Sequence, residues 1–268
     1  MTDLSKCPLG GDIYLTVPTY NEVGMNDTEK LQAIIESSDN IVFLGGAGVS
    51  TESGIKDFRG KRGIYSEYKP EDPFETPEYL LSIGCLYNNP ERFFDNYRKI
   101  FNHLDAEPNI THRYLKALED TGKLKAVVTQ NIDGLHQKAG STNVYEIHGT
   151  LERCHCDECN KEYPGNIVFD TSEVPRCDCG GMIRPDVVLY GEMLPQAYSI
   201  GSYYIMKAEV LLVAGTSLSV YPANGMIDLY RGKHLIIIND TETSYDDKAE
   251  LVIHRPLGEV FSKMMTFL

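Results

Sequence analysis

Two amides and a carboxylate fall within four residues at Gln130-Asn131-Ile132-Asp133, between Thr129 and the turn residue Gly134. The run before them, Lys125-Ala126-Val127-Val128, has the pattern of a buried strand, so the cluster sits at a strand's carboxyl end. Open α/β sheets bind their ligands there. Such a set can grip a polar ring and a ribose together. A second strand-like run, Val144-Tyr145-Glu146-Ile147, ends in His148-Gly149. It adds an imidazole, the side chain best suited to proton transfer near neutral pH. Taken alone, a histidine after a strand is more often simply packed or exposed.

A third run, Ile41-Val42-Phe43-Leu44, leads into Gly45-Gly46-Ala47-Gly48. Glycines after a strand let backbone amides approach a diphosphate that side chains would block. As a dinucleotide fingerprint the segment is incomplete. From Gly46 it runs G-A-G-V-S-T, with Thr51 where a third glycine belongs, and no acidic strand end follows about twenty residues on. By itself it is equally a tight structural turn. The next stretch, Ser50 to Gly60, is crowded with polar residues and broken by Gly54, so it is a loop. Its Asp57-Phe58-Arg59 suits a ligand, Arg59 for a phosphate or a structural carboxylate and Phe58 to cover a ring. The alternatives are core packing for Phe58 and a solvated charge for Arg59.

Five of the seven cysteines lie between positions 154 and 179. Cys156-x-x-Cys159, a spacer, then Cys177-x-Cys179 is close to zinc-ribbon spacing, although the second pair is one residue short. Four thiolates would fill a tetrahedral zinc shell and leave no position for a catalytic water, so the expected metal is structural. Cys154 and His155 are spare ligands for a different register. A redox dithiol or buried free thiols remain the alternatives. Cys7 and Cys85 stand alone.

These groups need elements to hold them. Short apolar runs at 41–44, 125–128, 144–147, 210–213, 235–238 and 251–253 alternate with helical patterns. Helices are expected after a cap at Asp27, after Pro77 and Pro90, around Tyr114, at Met226–Tyr230, and at the end around Val260, Phe261 and Met264. Short, mainly apolar strands separated by helices indicate an α/β, Rossmann-like parallel sheet covered on both faces. The cysteine stretch and the aromatic helices around 60–104 interrupt the alternation. They are assigned to a smaller lobe made of a zinc ribbon and a helical module. The expected divisions are an N-terminal extension at 1–26, a nucleotide-binding domain from 27–58, 105–150 and 185–268, and a small domain from 59–104 and 151–184.

The chain of 268 residues has ample apolar content, 42%, for such a core. A net charge of −14 argues against a general nucleic-acid binder and is compatible with lysine-bearing protein partners. Most acidic proteins, however, are merely well solvated. No apolar run approaches a membrane span, and the first residues lack a secretory pattern. A cytoplasmic location is expected, where clustered thiols favour metal over disulfides.

Together the glycine loop, the 50–60 loop, the 129–136 segment, Glu146-Ile147-His148-Gly149 and the cysteine pairs resemble the sirtuins, NAD-dependent protein-lysine deacylases, in their bacterial or archaeal single-domain form. The matching segments are spread from residue 41 to about 253. Gly45 replaces a usual threonine and Lys56 a usual proline. The resemblance implies NAD contacts from Gly46, Ala47, Gly48, Thr51, Phe58 and Arg59, and a nicotinamide-ribose pocket from Gln130, Asn131, Ile132 and Asp133. It implies an adenosine site at Gly215-Thr216-Ser217 and Asn239, and a substrate strip at Val187–Glu192, with Val188, Tyr190, Gly191 and Glu192 binding a peptide that adds as a strand. Tyr190 stands where the family usually has phenylalanine.

The activity implied is attack by the carbonyl oxygen of an acylated lysine on the ribose carbon bearing nicotinamide. Asn131 and Asp133 would fix that ribose and His148 would act as general base, also touching the cofactor. Products are free lysine, nicotinamide and acylated ADP-ribose. Protein substrates carrying acyl-lysine, one structural zinc, no nucleic-acid or membrane partner and a monomeric state complete the expectation. Tyr97 matches the first position of a tyrosine–arginine pair that selects acidic acyl groups, but Ile100 occupies the second. Acetyl or longer apolar groups are therefore expected. The rivals are NAD-dependent protein ADP-ribosyl transfer on the same scaffold and a non-catalytic, NAD-responsive peptide-binding module. A hydride-transferring dehydrogenase is disfavoured by the broken fingerprint.

Overall fold

The computed structural model describes residues 24–58, 60, 63–67, 75–101 and 105–268. Most of the expected N-terminal extension, and Arg59, lie outside the described residues.

Nine strands are present among them: β1 (Ile41–Gly45), β2 (Leu124–Thr129), β3 (Val144–Glu146), β4 (Gly149–Cys156), β5 (Glu162–Pro164), β6 (Ile183–Val187), β7 (Val210–Ala214), β8 (His234–Ile238) and β9 (Leu251–Ile253). Six of them form one sheet in the order β3-β2-β1-β7-β8-β9, with every pairing parallel. The helices are α1 (Asp27–Glu36), α2 (Ile64–Glu67), α3 (Pro77–Leu80), α4 (Ile83–Asn88), α5 (Pro90–Ile100), α6 (Ile110–Asp120), α7 (Leu135–Lys138), α8 (Gln196–Lys207) and α9 (Leu257–Met264). Among the described residues no helix is long and apolar enough to cross a membrane.

Alternate residues of a strand point to opposite faces. Ile41, Phe43, Leu212 and Ile236 therefore pack with α1, α6 and α9, while Val42, Leu44, Leu211 and Ile237 pack with Ile205 of α8 and with Met226. With both faces covered, β1, β7 and β8 are buried at every residue, which is why they read as unbroken apolar runs. The remaining three strands form an antiparallel sheet, β5-β4-β6. Its Cys154, Cys156 and Ile183 share one core with Leu80, Leu86, Phe93, Phe94 and Tyr97 of α3–α5. The ribbon and the aromatic helices are thus a single packed unit.

Three local expectations are corrected. The α1 cap is Asn26, not Asp27: its side chain accepts from Thr28 and Glu29 N–H, and Glu29 returns the bond in a capping box. Residues 226–229 belong to a 3₁₀ helix, Ala223–Leu229, rather than an α-helix, and Tyr230 is already extended. Helix α8 was not legible, because Pro195 supplies no side-chain cap and Gly201 and three tyrosines lower its helical signal.

Two histidines behind the sheet carry a pH dependence. His112 of α6 and His136 of α7 are buried with ring centroids 4.7 Å apart, and neither ring nitrogen of His136 has a hydrogen-bond partner among the described residues. Burial holds His136 well below the usual imidazole range and His112 down to about 4, from 6.5. Both are neutral in the fold, whereas the unfolded chain takes up protons near 6.5. Acid therefore favours unfolding, and stability falls as pH drops from about 6.5 towards 4. The His112 share is on the order of 3 kcal/mol. Urea midpoints measured across that window should decline, and His112→Gln should flatten the slope. An unchanged slope in the variant would remove His112 from the account.

Candidate active site

A cavity of about 1180 Å³ opens at the carboxyl ends of β1, β2, β7 and β8. The strand order reverses direction between β1 and β7, and ligands of open parallel sheets bind in the crevice at such a switch point. The volume exceeds that of ordinary drug-sized sites.

The glycine loop closes its floor. Gly48 N–H donates to Gly215 O at 2.8 Å, and a Cβ on Gly48 would lie 2.8 Å from Gly215 Cα. The loops after β1 and β7 thus cross backbone against backbone, so these glycines have a packing role before any ligand is considered. Gly46 is pressed against Thr216, and Ala47, Gly48 and Thr51 line the cavity.

At the end of β2 the amide–carboxylate cluster is wired together. Gln130 N–H donates to Gly45 O at 3.0 Å and its Nε2 to Thr216 Oγ1 at 3.0 Å, tying β2 to the β1 and β7 loops. Asn131 Nδ2 donates to Ser50 Oγ at 3.0 Å, and Ser50 Oγ donates onward to Asp133 Oδ2 at 2.7 Å. The other Asp133 oxygen accepts Leu135 N–H at 3.0 Å, at the start of α7. Burial raises the Asp133 carboxyl above its usual range, and the bonds from Ser50 and Leu135 oppose that shift. Ser50 is buried and central to this network, yet sequence reasoning missed it. Its only signal was a small hydroxyl between Gly48 and Thr51.

His148 arrives from the end of β3. Its Nδ1 lies 3.1 Å from Gln130 O, and a carbonyl oxygen only accepts, so Nδ1 carries the proton and Nε2 is the basic nitrogen. Burial pushes this imidazole below its ordinary range, partly offset by the Gln130 bond, so it is neutral at pH 7. Gly149 follows at φ +78°, and a Cβ there would sit 2.0 Å from Asp186 O. Glycine is therefore required for β4 to leave His148 and cross β6.

His148 O accepts Val188 N–H at 2.9 Å, which fastens the 188–192 strip beside the imidazole. On the other side Tyr190 N–H donates to Leu81 O at 3.1 Å and Ile83 N–H to Tyr190 O at 3.0 Å. Tyr190's backbone is thus already paired. Val188, Tyr190, Gly191 and Glu192 all line the cavity, but the Glu192 carboxylate turns inward. It accepts from both terminal nitrogens of buried Arg184, at 2.8 and 2.9 Å, and from Leu189 N–H at 2.8 Å. The wall near the strip is apolar, with Phe58, Ile64, Leu81, Phe101, Ile132 and Leu151. Tyr97 and Ile100 lie instead in the core beneath it, so they do not meet an acyl group as expected; Phe101 is the residue of that segment that reaches the cavity. Ser217 and Asn239 complete the wall on the β7 and β8 side.

The four cysteines meet in the small sheet. Cys156 and Cys179 Sγ are 3.5 Å apart, Cys159 and Cys177 Sγ 3.6 Å, and all four lie within 4.8 Å of one another. Four sulfurs about 2.3 Å from a tetrahedral zinc would be roughly 3.8 Å apart, so the set fits that ion. The Tyr163 hydroxyl donates to Cys177 Sγ at 3.0 Å, a bond that favours the thiolate a metal needs. Cys154 is not part of the set. It is buried against Gly165 O, and burial raises its thiol to about 12. His155 pairs with Asp186 instead.

Comparison with known proteins agrees with this geometry. The Sir2 family model matches residues 46–222. An NAD-dependent protein deacetylase of Cutibacterium acnes is 48% identical over 235 residues, 87% of this chain and 96% of that protein. One of the same name from Clostridium perfringens is 48% identical over 239 residues, 88% of this chain and 97% of its own. Among solved structures, a Sir2 complex with p53 peptide and NAD+ superposes with a TM-score of 0.78 at 38% identity, covering 91% of this chain and 98% of that one. With relatives matched over nearly their full length and the cavity at the expected switch point, the chain belongs to the Sir2 family.

Proposed function

We propose that this protein is an NAD-dependent protein-lysine deacylase that moves the acyl group of a modified lysine to ADP-ribose and releases nicotinamide. The observation that carries the reading is the neutral imidazole of His148, proton fixed on Nδ1 by Gln130 O, beside the Asn131–Ser50–Asp133 network in one switch-point cavity. NAD, when bound, supplies a ribose carbon with a cationic leaving group already attached. The chain's own work is to orient and to move protons. Asn131 and Asp133 present an amide and an acceptor at a fixed spacing for the ribose and its water. Ala47, Gly48, Thr51, Gly215, Thr216, Ser217 and Asn239 form the nucleotide wall, and Phe58 and Ile132 exclude water from the nicotinamide end. Arg59 is assigned to the same loop by the family pattern. His148 Nε2 would accept the proton of a ribose hydroxyl, for which its neutral state leaves the lone pair free. The substrate strip, held to His148 through Val188, places the acylated lysine.

The reading includes a large nucleotide-binding domain and a small domain joined around this cleft, with the boundaries given above, and one structural zinc on Cys156, Cys159, Cys177 and Cys179. It includes acylated-lysine protein substrates rather than nucleic acid, supported by the net charge of −14. A monomer in the cytoplasm completes it. Mass spectrometry of reactions with NAD and a panel of acyl-lysine peptides tests the whole. Acylated ADP-ribose is the expected product, with acetyl and longer apolar peptides preferred to succinyl or malonyl because the wall near the strip, including Phe58, Phe101 and Ile132, is apolar. ADP-ribose added to protein side chains, or NAD binding without nicotinamide release, would replace the reading with transfer or with a binding module.

A further inference from the structure

On the proposed reading, nucleotide and peptide occupy different walls of one cavity, and one contact spans the gap between those walls. Tyr65 of α2 and Tyr190 of the substrate strip meet hydroxyl to hydroxyl at 3.0 Å, and both line the cavity. Each end is anchored. Tyr65 N–H donates to Phe58 O at 3.0 Å and Ile64 N–H to Asp57 O at 2.8 Å, so α2 is tied to the loop that presents Phe58. The Phe58 and Tyr65 rings also touch edge to face at 5.6 Å. Tyr190 is fixed through both of its backbone groups to Leu81 and Ile83.

We propose that the Tyr65–Tyr190 hydroxyl pair is a clasp through which the substrate strip holds the cofactor loop in its NAD-receiving position. A loop held in its binding position before the ligand arrives loses less entropy on binding, so the clasp raises NAD affinity. By linkage the same contact lets a ligand on one wall affect affinity at the other. A phenylalanine at 190 would keep the ring but could not make the bond.

The test is calorimetric NAD titration, without peptide, of the full chain and of Tyr65→Phe, Tyr190→Phe and the double variant. Each single change should weaken NAD binding about five-fold, the worth of one net hydrogen bond. The loss in the double should be less than the product of the two single losses, with about five-fold shared, because all three variants lack the same bond. Unchanged NAD affinity in Tyr190→Phe, or effects of the two singles that add in the double, would overturn the clasp while leaving the deacylase reading intact. Failure of the unmodified protein to bind NAD would overturn the deacylase reading and the clasp with it. Thermal unfolding of the variants within a degree or so of the parent separates loss of the bond from loss of the fold.

Discussion

His148→Ala is expected to lower acyl transfer by about 10²–10⁴-fold, the range supplied by a positioned general base. The fold should survive. The histidine contributes one side-chain bond, to Gln130 O, whose loss costs about 1 kcal/mol, and Gly149 and Val188 keep their own backbone partners. Thermal unfolding of the variant should therefore fall only slightly while turnover collapses. The pH profile gives a second check. A base works in its deprotonated form, so rate is lost as pH falls through its pKa. Because burial sets the His148 pKa of the free protein below 6.5, the acid limb of the kcat/KM profile should lie below that value. Full residual turnover in the variant, or an acid limb above 6.5, would remove the imidazole from its role.

The cluster at 130–133 stood out as two amides and a carboxylate directly after an apolar strand, whereas His148 was singled out through its resemblance to the family pattern, since a histidine after a strand is more often simply packed. The six parallel strands were legible because two covered faces demand unbroken apolar runs. The small antiparallel sheet was not. Strand β6 reads Ile183-Arg184-Pro185-Asp186-Val187, which has neither alternation nor an apolar run, and its shape depends on pairing with β4. Ser50 was invisible because its importance comes from residues 81 and 83 positions away. Tyr97 and Ile100 misled for the opposite reason. They share a helix face, and spacing alone could not say whether that face meets the cavity or the core; the turn from α5 to Phe101 decides it.

Arg184 shows most fully what a local pattern cannot contain. It is a charged residue only 8% exposed, and its partner Glu192 lies eight positions on, at the far end of the substrate strip. Burial works against both charges, yet the paired bonds hold Glu192 below its usual range and Arg184 above its own. Removing Arg184 strands the Glu192 carboxylate, but because Glu192 also lines the open cavity the cost is about 1–3 kcal/mol, below that of a fully enclosed pair. Arg184→Met should therefore lower stability by that amount and raise the peptide KM by about ten-fold or more, a loss of 1.4 kcal/mol or greater in substrate binding. Adding Glu192→Met should recover much of the stability, because a well-packed apolar pair removes the stranded charge. It should not recover the peptide KM. Glu192 is also the acceptor for Leu189 N–H, and without it the turn between Leu189 and Glu192 loses the bond that shapes the strip next to Val188 and His148. Urea unfolding and steady-state kinetics on the two variants separate these effects. If the double variant regains both stability and peptide KM, Glu192 is a packing residue only, and the strip takes its shape from the backbone bonds at Val188 and Tyr190 alone.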